Sequence, residues 1–226
     1  MKNYNGHRNN LREKFLRAGF QCLNNHEILE LILTLCIPRK DVKPQAKELL
    51  RYFGSLNAVL DADIETLQEV KGVGRITAIS LHIIKDSAAL YVQKSVEDPK
   101  SKLDTFEELE KFWRIKIGGL SYEVFEVAYL DSRLRLIKNG IKRISEGIAD
   151  RTNVLPRKIV DHALRKDAAA LVIAHNHPAG SETPSIHDRL ITKSLSALCE
   201  PLCLRLVDHL IITNNSIFSF KKANML

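Results

Sequence analysis

The sequence holds no CxxC pair among its four cysteines, Cys22, Cys36, Cys199 and Cys203, and too few of them for a disulfide scaffold. Reduced thiols packed in apolar cores are therefore expected, which fits a cytoplasmic protein. No apolar leader is visible near Met1, and the longest apolar run there, Ile28 to Ile37, is interrupted by Glu30. A bilayer span needs roughly 20 apolar residues, so neither secretion nor membrane insertion is expected. A polybasic block is missing too. The formal net charge is +7, but 15 basic and 12 acidic side chains fall within residues 1–100 and 19 and 15 after them. Such a surface attracts polyanions without offering a basic arm, so DNA is an expected partner.

What the chain does have is length and a folded composition: 226 residues, 45% apolar and 27% charged. That is enough for two domains, each burying a core. From Asn9 to Val92 the apolar residues recur at spacings of three and four, as in Leu11, Phe15 and Leu16 or Ile28, Leu31, Ile32 and Leu35. Breaks at Gly19, Pro38, Pro44, Gly54-Ser55 and Lys71-Gly72-Val73-Gly74 divide this stretch into about five short helices, an all-α domain over residues 1–95. The polar run Lys94 to Asp104, with Pro99, reads as a linker.

The second domain, 104–226, opens with a helix near Thr105 and then changes period. Val124 to Leu130 and Leu134 to Lys138 flank Asp131-Ser132 and predict a hairpin. A helix is expected over about Pro156 to Lys166, a strand buried on both faces over Ala168 to Ala174, and a helix over Ile186 to Cys199, stopped by Pro201. Strands near Leu204 to Thr213 and Ile217 to Phe220 complete an α/β domain.

Just past the buried strand stands His175-Asn176-His177-Pro178, and Asp188 lies eleven residues beyond His177, at the start of a helix. Residues i and i+2 of an extended segment point the same way, so the two imidazoles can meet on one ion, and the intervening loop can return Asp188 to them. Two neutral imidazoles and a carboxylate are a ligand set suited to catalytic zinc, and they favour zinc over magnesium or calcium. The loop, Pro178-Ala179-Gly180-Ser181-Glu182-Thr183-Pro184-Ser185, is rich in turn formers, and Ser185 is placed to cap the helix carrying Asp188. A zinc deaminase is excluded, because no P-C-x-x-C pair exists.

The constellation His175-Asn176-His177-Pro178-x-Gly180-x3-Pro184-Ser185-x2-Asp188 resembles the JAMM signature of JAB/MPN metalloproteases in the form typical of RadC proteins. Glu123, Phe125, Tyr129-Leu130-Asp131, Pro156-Arg157, Ala168-Ala169-Ala170 and Asp208-His209 extend the resemblance through the second half. Ala179 departs from it, since the family usually has serine there, and Ser145 to Asn153 match only loosely. The resemblance implies an N-terminal helical domain followed by a JAB/MPN, cytidine-deaminase-like α/β domain with a mixed sheet. It also implies roles: His175, His177 and Asp188 as Zn2+ ligands, Glu123 as the acid/base, and Ser185 as an oxyanion donor. Glu126 is the fallback acid, facing the opposite way from Glu123, while Asp208 and His209, as strand neighbours with opposed side chains, are expected to be structural.

In the first half, Leu67-x2-Val70-Lys71-Gly72-Val73-Gly74-Arg75-x-Thr77-Ala78 resembles a helix-hairpin-helix, whose turn meets a DNA phosphate through backbone N–H groups. Lys71, Gly72, Val73, Gly74 and Arg75 are its candidate DNA contacts, with an ordinary interhelical turn as the competing account. The function implied is a zinc-dependent metallopeptidase or isopeptidase associated with DNA and acting on a protein or peptide. A metal-dependent nuclease of DNA repair or recombination and a non-catalytic DNA-binding scaffold are the competing readings.

Overall fold

The computed structural model describes residues 4–97, 105–147 and 154–226, and its contacts divide the chain into two compact units, 1–87 and 88–226. The first is wholly helical. Helices α1 (Tyr4–Ala18), α2 (Asn25–Cys36), α3 (Lys43–Phe53), α4 (Leu56–Asp61) and α5 (Ile64–Gln68) are followed by α6 (Arg75–Glu97), which runs on into the second unit. The local sequence explains the helix ends. Asn24 and Glu27 form a reciprocal capping box on α2, Ser55 and Asp63 cap α4 and α5, and Gly54 closes α3 in the left-handed conformation. Leu29, Leu33, Leu49, Val59, Leu67 and Leu81 fill the core these helices share.

This unit holds six α-helices among the described residues, against about five expected, because Ser55 and Asp63 each start a short helix of their own. Helicity also continues through Lys94 to Glu97, where a linker was expected; the rest of that expected linker, 98–104, lies outside the described residues.

The second unit is a five-stranded mixed sheet between helices. Its elements are α7 (Thr105–Ile117), β1 (Val124–Leu130), β2 (Leu136–Glu146), α8 (Pro156–Arg165), β3 (Ala170–Asn176), α9 (Ile186–Cys199), β4 (Arg205–Ile212) and β5 (Ile217–Ser219). The spatial order is β2-β1-β3-β4-β5, with β3 and β4 parallel and the other described neighbours antiparallel. Alternation along each central strand makes two cores. Val124, Ala128, Val172 and Ala174 pack with Leu109, Phe112 and Trp113 of α7. Phe125, Val127, Tyr129, Leu171 and Ile173 pack with Ile159 and Ala163 of α8 and Ile191 and Leu195 of α9. No helix among the described residues is long and apolar enough to cross a membrane.

Strand β2 starts at Leu136, two residues after the expected Leu134, and runs past the expected end at Lys138 to Glu146, because Asn139-Gly140, a residue pair common in turns, stays within the strand. The strand register slips between Ala128 and Leu130, and a Cβ on Gly140 would sit 2.5 Å from the Ile137 carbonyl oxygen and 2.8 Å from that of Tyr129. Only glycine fits that irregularity. The connection to β1 is built on Asp131, whose Oδ1 accepts the backbone N–H groups of Arg133 and Arg135.

Candidate metal centre

Strand β3 extends two residues past the expected Ala174, so His175 lies in the sheet, and His177 follows directly, its N–H bonded to the Ile212 carbonyl at 2.9 Å. Both imidazoles emerge on the α9 side. Gly180, at φ +77°, turns the loop back, and Ser185 and Asp188 then form a capping box at the start of α9. The Asp188 amide donates to Ser185 Oγ at 3.1 Å, and Ser185 donates its own amide (2.7 Å) and hydroxyl (2.6 Å) to Asp188 Oδ2. The element that starts the helix is thus the one that presents the carboxylate.

The three side chains converge. His175 Nε2 lies 3.0 Å from His177 Nε2 and 3.2 Å from Asp188 Oδ1, and His177 Nε2 lies 3.5 Å from Asp188 Oδ2. Tetrahedral ligands held about 2.0–2.1 Å from zinc are separated by roughly 3.3 Å, so these separations bracket that edge. Two nitrogens and one oxygen also match zinc in chemistry. His177 Nδ1 is 2.7 Å from the Ser181 carbonyl oxygen, which can only accept, so the ring proton sits there and Nε2 presents its lone pair to the centre. Burial opposes ionisation of Asp188, but the His175 and His177 imidazoles beside it and the hydroxyl that Ser185 donates to it outweigh this and hold the carboxyl well below the usual carboxylate range. These are the residues a divalent ion fits.

A cleft of about 540 Å³ opens over the three donors, lined also by Tyr122, Glu123, Phe125, Val154, Ser185 and Ile191. Glu123 stands directly before β1; continuing the pairing of Phe125 with His175 by two residues places it opposite His177. Glu126 faces the other way, fully buried, with its carboxylate bound by Trp113 Nε1 (3.1 Å), Lys116 Nζ (3.0 Å) and Arg143 Nε (3.1 Å). Ser185 lines the cleft, but its hydroxyl hydrogen is directed at Asp188, so in this geometry it positions that carboxylate.

Two residues that the sequence undervalues join the site. His209, expected to be structural, is fully buried on β4 and places Nε2 2.9 Å from His175 Nδ1, with Thr192 Oγ1 2.6 Å from its Nδ1. Burial and the neighbouring His175 push its pKa well below the usual histidine value. Phe125 stacks on His175 and Phe220 on His209, fixing both ring planes. The alternation argument did separate His209 from Asp208, which turns away to Ser219 and the Lys221 amide, but it overlooked the diagonal neighbour on the adjacent strand. The second is Asn176, whose side chain, on the face opposite the histidines, accepts from the Val124 amide at 2.7 Å and donates to the Tyr122 carbonyl at 2.9 Å. It clamps both sides of Glu123.

In the helical unit, Lys71, Gly72, Gly74 and Arg75 are exposed on the turn between α5 and α6, with Gly72 at φ +87°. Val73 differs: its side chain is in the core and its N–H is bonded to the Val70 carbonyl at 3.0 Å.

Residues 103–225 match the family model of the RadC-like JAB domain, and residues 7–79 match that of the UPF0758 N-terminal region. A UPF0758 protein of Fusobacterium nucleatum subsp. nucleatum is 36% identical, covering 100% of this chain and 99% of its own length. One of Ruegeria pomeroyi is 39% identical over 95% of each.

Proposed function

This chain belongs to the RadC-like JAB domain family, within a superfamily of metal-dependent hydrolases, and from that premise we propose that it is a zinc-dependent amide hydrolase, a metallopeptidase or isopeptidase of the JAMM type. The observation that carries the reading is the donor triangle of His175, His177 and Asp188 at the floor of a cleft that Glu123 also lines. When bound there, zinc supplies Lewis acidity, polarising a carbonyl and acidifying water. Glu123 takes the proton of the attacking water and returns it to the leaving nitrogen, a service worth about 10²–10⁴ in rate. Ser185 and the helix cap hold Asp188, and the apolar walls, Phe125, Val154 and Ile191, exclude water from the bond being cut.

An amide fits this cleft better than a phosphodiester. Among the described residues lining it there is no Lys or Arg, while Glu123 and Asp188 make it acidic. A phosphodiester site needs cationic partners for the phosphate oxygens. DNA belongs instead to the helical unit, where Lys71 and Arg75 flank a turn whose glycine amides can approach a phosphate.

The test is metal content by mass spectrometry on wild type, His177→Ala and Glu123→Gln, with peptide, isopeptide and DNA substrates. One zinc per chain is expected in wild type and Glu123→Gln and none in His177→Ala, with amide cleavage in wild type alone. Cleavage of DNA and not of amides would replace the reading with a nuclease, and metal-free wild type would leave a scaffold. In a parallel binding assay, Lys71→Ala and Arg75→Ala should each reduce the salt slope of DNA binding by about 1; unchanged slopes would remove DNA from the turn.

A further inference from the structure

Four groups behind the donor triangle form a continuous line: the Asp188 carbonyl, Thr192 Oγ1 (2.6 Å), His209 Nδ1 (2.6 Å) and, through His209 Nε2, His175 Nδ1 (2.9 Å). All of it is buried: Thr192 is 3% exposed, His209 0% and His175 5%. A neutral imidazole has one N–H and one lone pair, so each link decides the next. Thr192 gives its single hydroxyl hydrogen to the Asp188 carbonyl and accepts from His209 Nδ1–H. The lone pair of His209 is then on Nε2, which accepts from His175 Nδ1–H. That leaves His175 Nε2, the atom facing Asp188 and His177, without a proton and able to ligate. Run in the opposite sense, with the Thr192 hydroxyl donating to His209, the same line would put a proton on His175 Nε2 and close the centre to metal.

Resting on the zinc-site reading above, we infer that Thr192 and His209 are positioning residues that set the tautomer of His175 and thereby hold the site in its metal-accepting state. Asp188 occupies both ends of the device, its carboxylate in the donor triangle and its carbonyl at the origin of the line. A change in how α9 begins therefore reaches His175 by two routes. The stacked rings of Phe125 and Phe220 keep the two imidazoles in the planes the line requires.

The experiment is titration of the full-length protein with Zn2+ and Co2+, following affinity and the visible absorption of bound Co2+, on wild type, Thr192→Val, Thr192→Ser and His209→Phe. Circular dichroism and thermal melts in EDTA check that each variant is folded. Thr192→Val keeps the shape and removes the hydroxyl, so a 10–100-fold loss of affinity and an altered Co2+ spectrum are expected, with Thr192→Ser restoring both. His209→Phe should lose at least as much. Folded Thr192→Val and His209→Phe variants that bind within about threefold of wild type would overturn the inference while leaving the zinc site standing. Wild type that binds neither metal would overturn the reading beneath it and the inference with it.

Discussion

Glu123 and Glu126 stand three residues apart at the start of one strand, and the two faces of the sheet use them in opposite ways. On the α7 face, the Glu126 carboxylate meets Trp113, Lys116 and Arg143, so donors and charge are consumed locally. On the α9 face, the buried polar groups do not close on themselves: the line from Thr192 through His209 and His175 ends in the donor triangle, beside Glu123 and open to a cleft. Burial alone does not distinguish a carboxylate closed in the core from one presented to a cleft, since Glu126 and Asp188 are both buried. What distinguishes them is where the polar network ends.

The largest effect expected from breaking this contrast is on the closed face. Replacing both cations, Lys116→Ala with Arg143→Ala, leaves a fully buried carboxylate with Trp113 alone, and should destabilise the second unit by about 3–5 kcal/mol. Denaturant melts of wild type and variant in EDTA measure this, and zinc affinity of the folded variant should not change. A loss below about 1 kcal/mol would show that water or another donor reaches Glu126, and that the network there is not closed.

An intermediate effect comes from Asn176, which lies between His175 and His177 but reaches to the other face. Asn176→Ala strips the buried Val124 amide of its acceptor and should cost about 1–3 kcal/mol. Because the same side chain holds the residues on either side of Glu123, amide cleavage should fall while zinc affinity stays within about threefold of wild type. Parallel loss of zinc would mean that Asn176 supports the histidines and not the acid/base, and the separation of the two faces would fail there.

Much of this was legible in the sequence because local chemistry and tertiary placement agree. The i, i+2 spacing of His175 and His177 survives as strand geometry, Asp188 is at the helix start that Ser185 marks, and opposite parity separates Glu123 from Glu126. The buried run of β3 and the helical period of α9 are just as direct. Long-range pairing was not legible. His209 reaches His175 only because β4 lies parallel to β3, and Asn176 meets Tyr122 across more than fifty residues of chain. Neither relation leaves a local period. The extension of β2 was hidden for a different reason, since Asn139-Gly140 carries turn chemistry into a strand that tolerates it at an irregularity.

The smallest effect concerns the apolar floor of the α9 face, where Cys199 ends the helix in contact with the core that also holds Phe125 and Leu195. Burial pushes its thiol up to about 11. A raised value means that the folded chain keeps a proton which the unfolded chain releases, so its contribution to stability is intact below the ordinary thiol range and is lost as pH climbs towards 11. At about pH 8, therefore, a disulfide-exchange reagent should label the exposed Cys22 and Cys203 quickly and Cys199 only after unfolding, with Cys199 labelling rising steeply in alkali. If Cys199 reacted as fast as Cys203 in the native protein, the end of α9 would open locally. The open network would then rest on a mobile floor, and the capping box at the other end of the same helix would be what holds Asp188 in place.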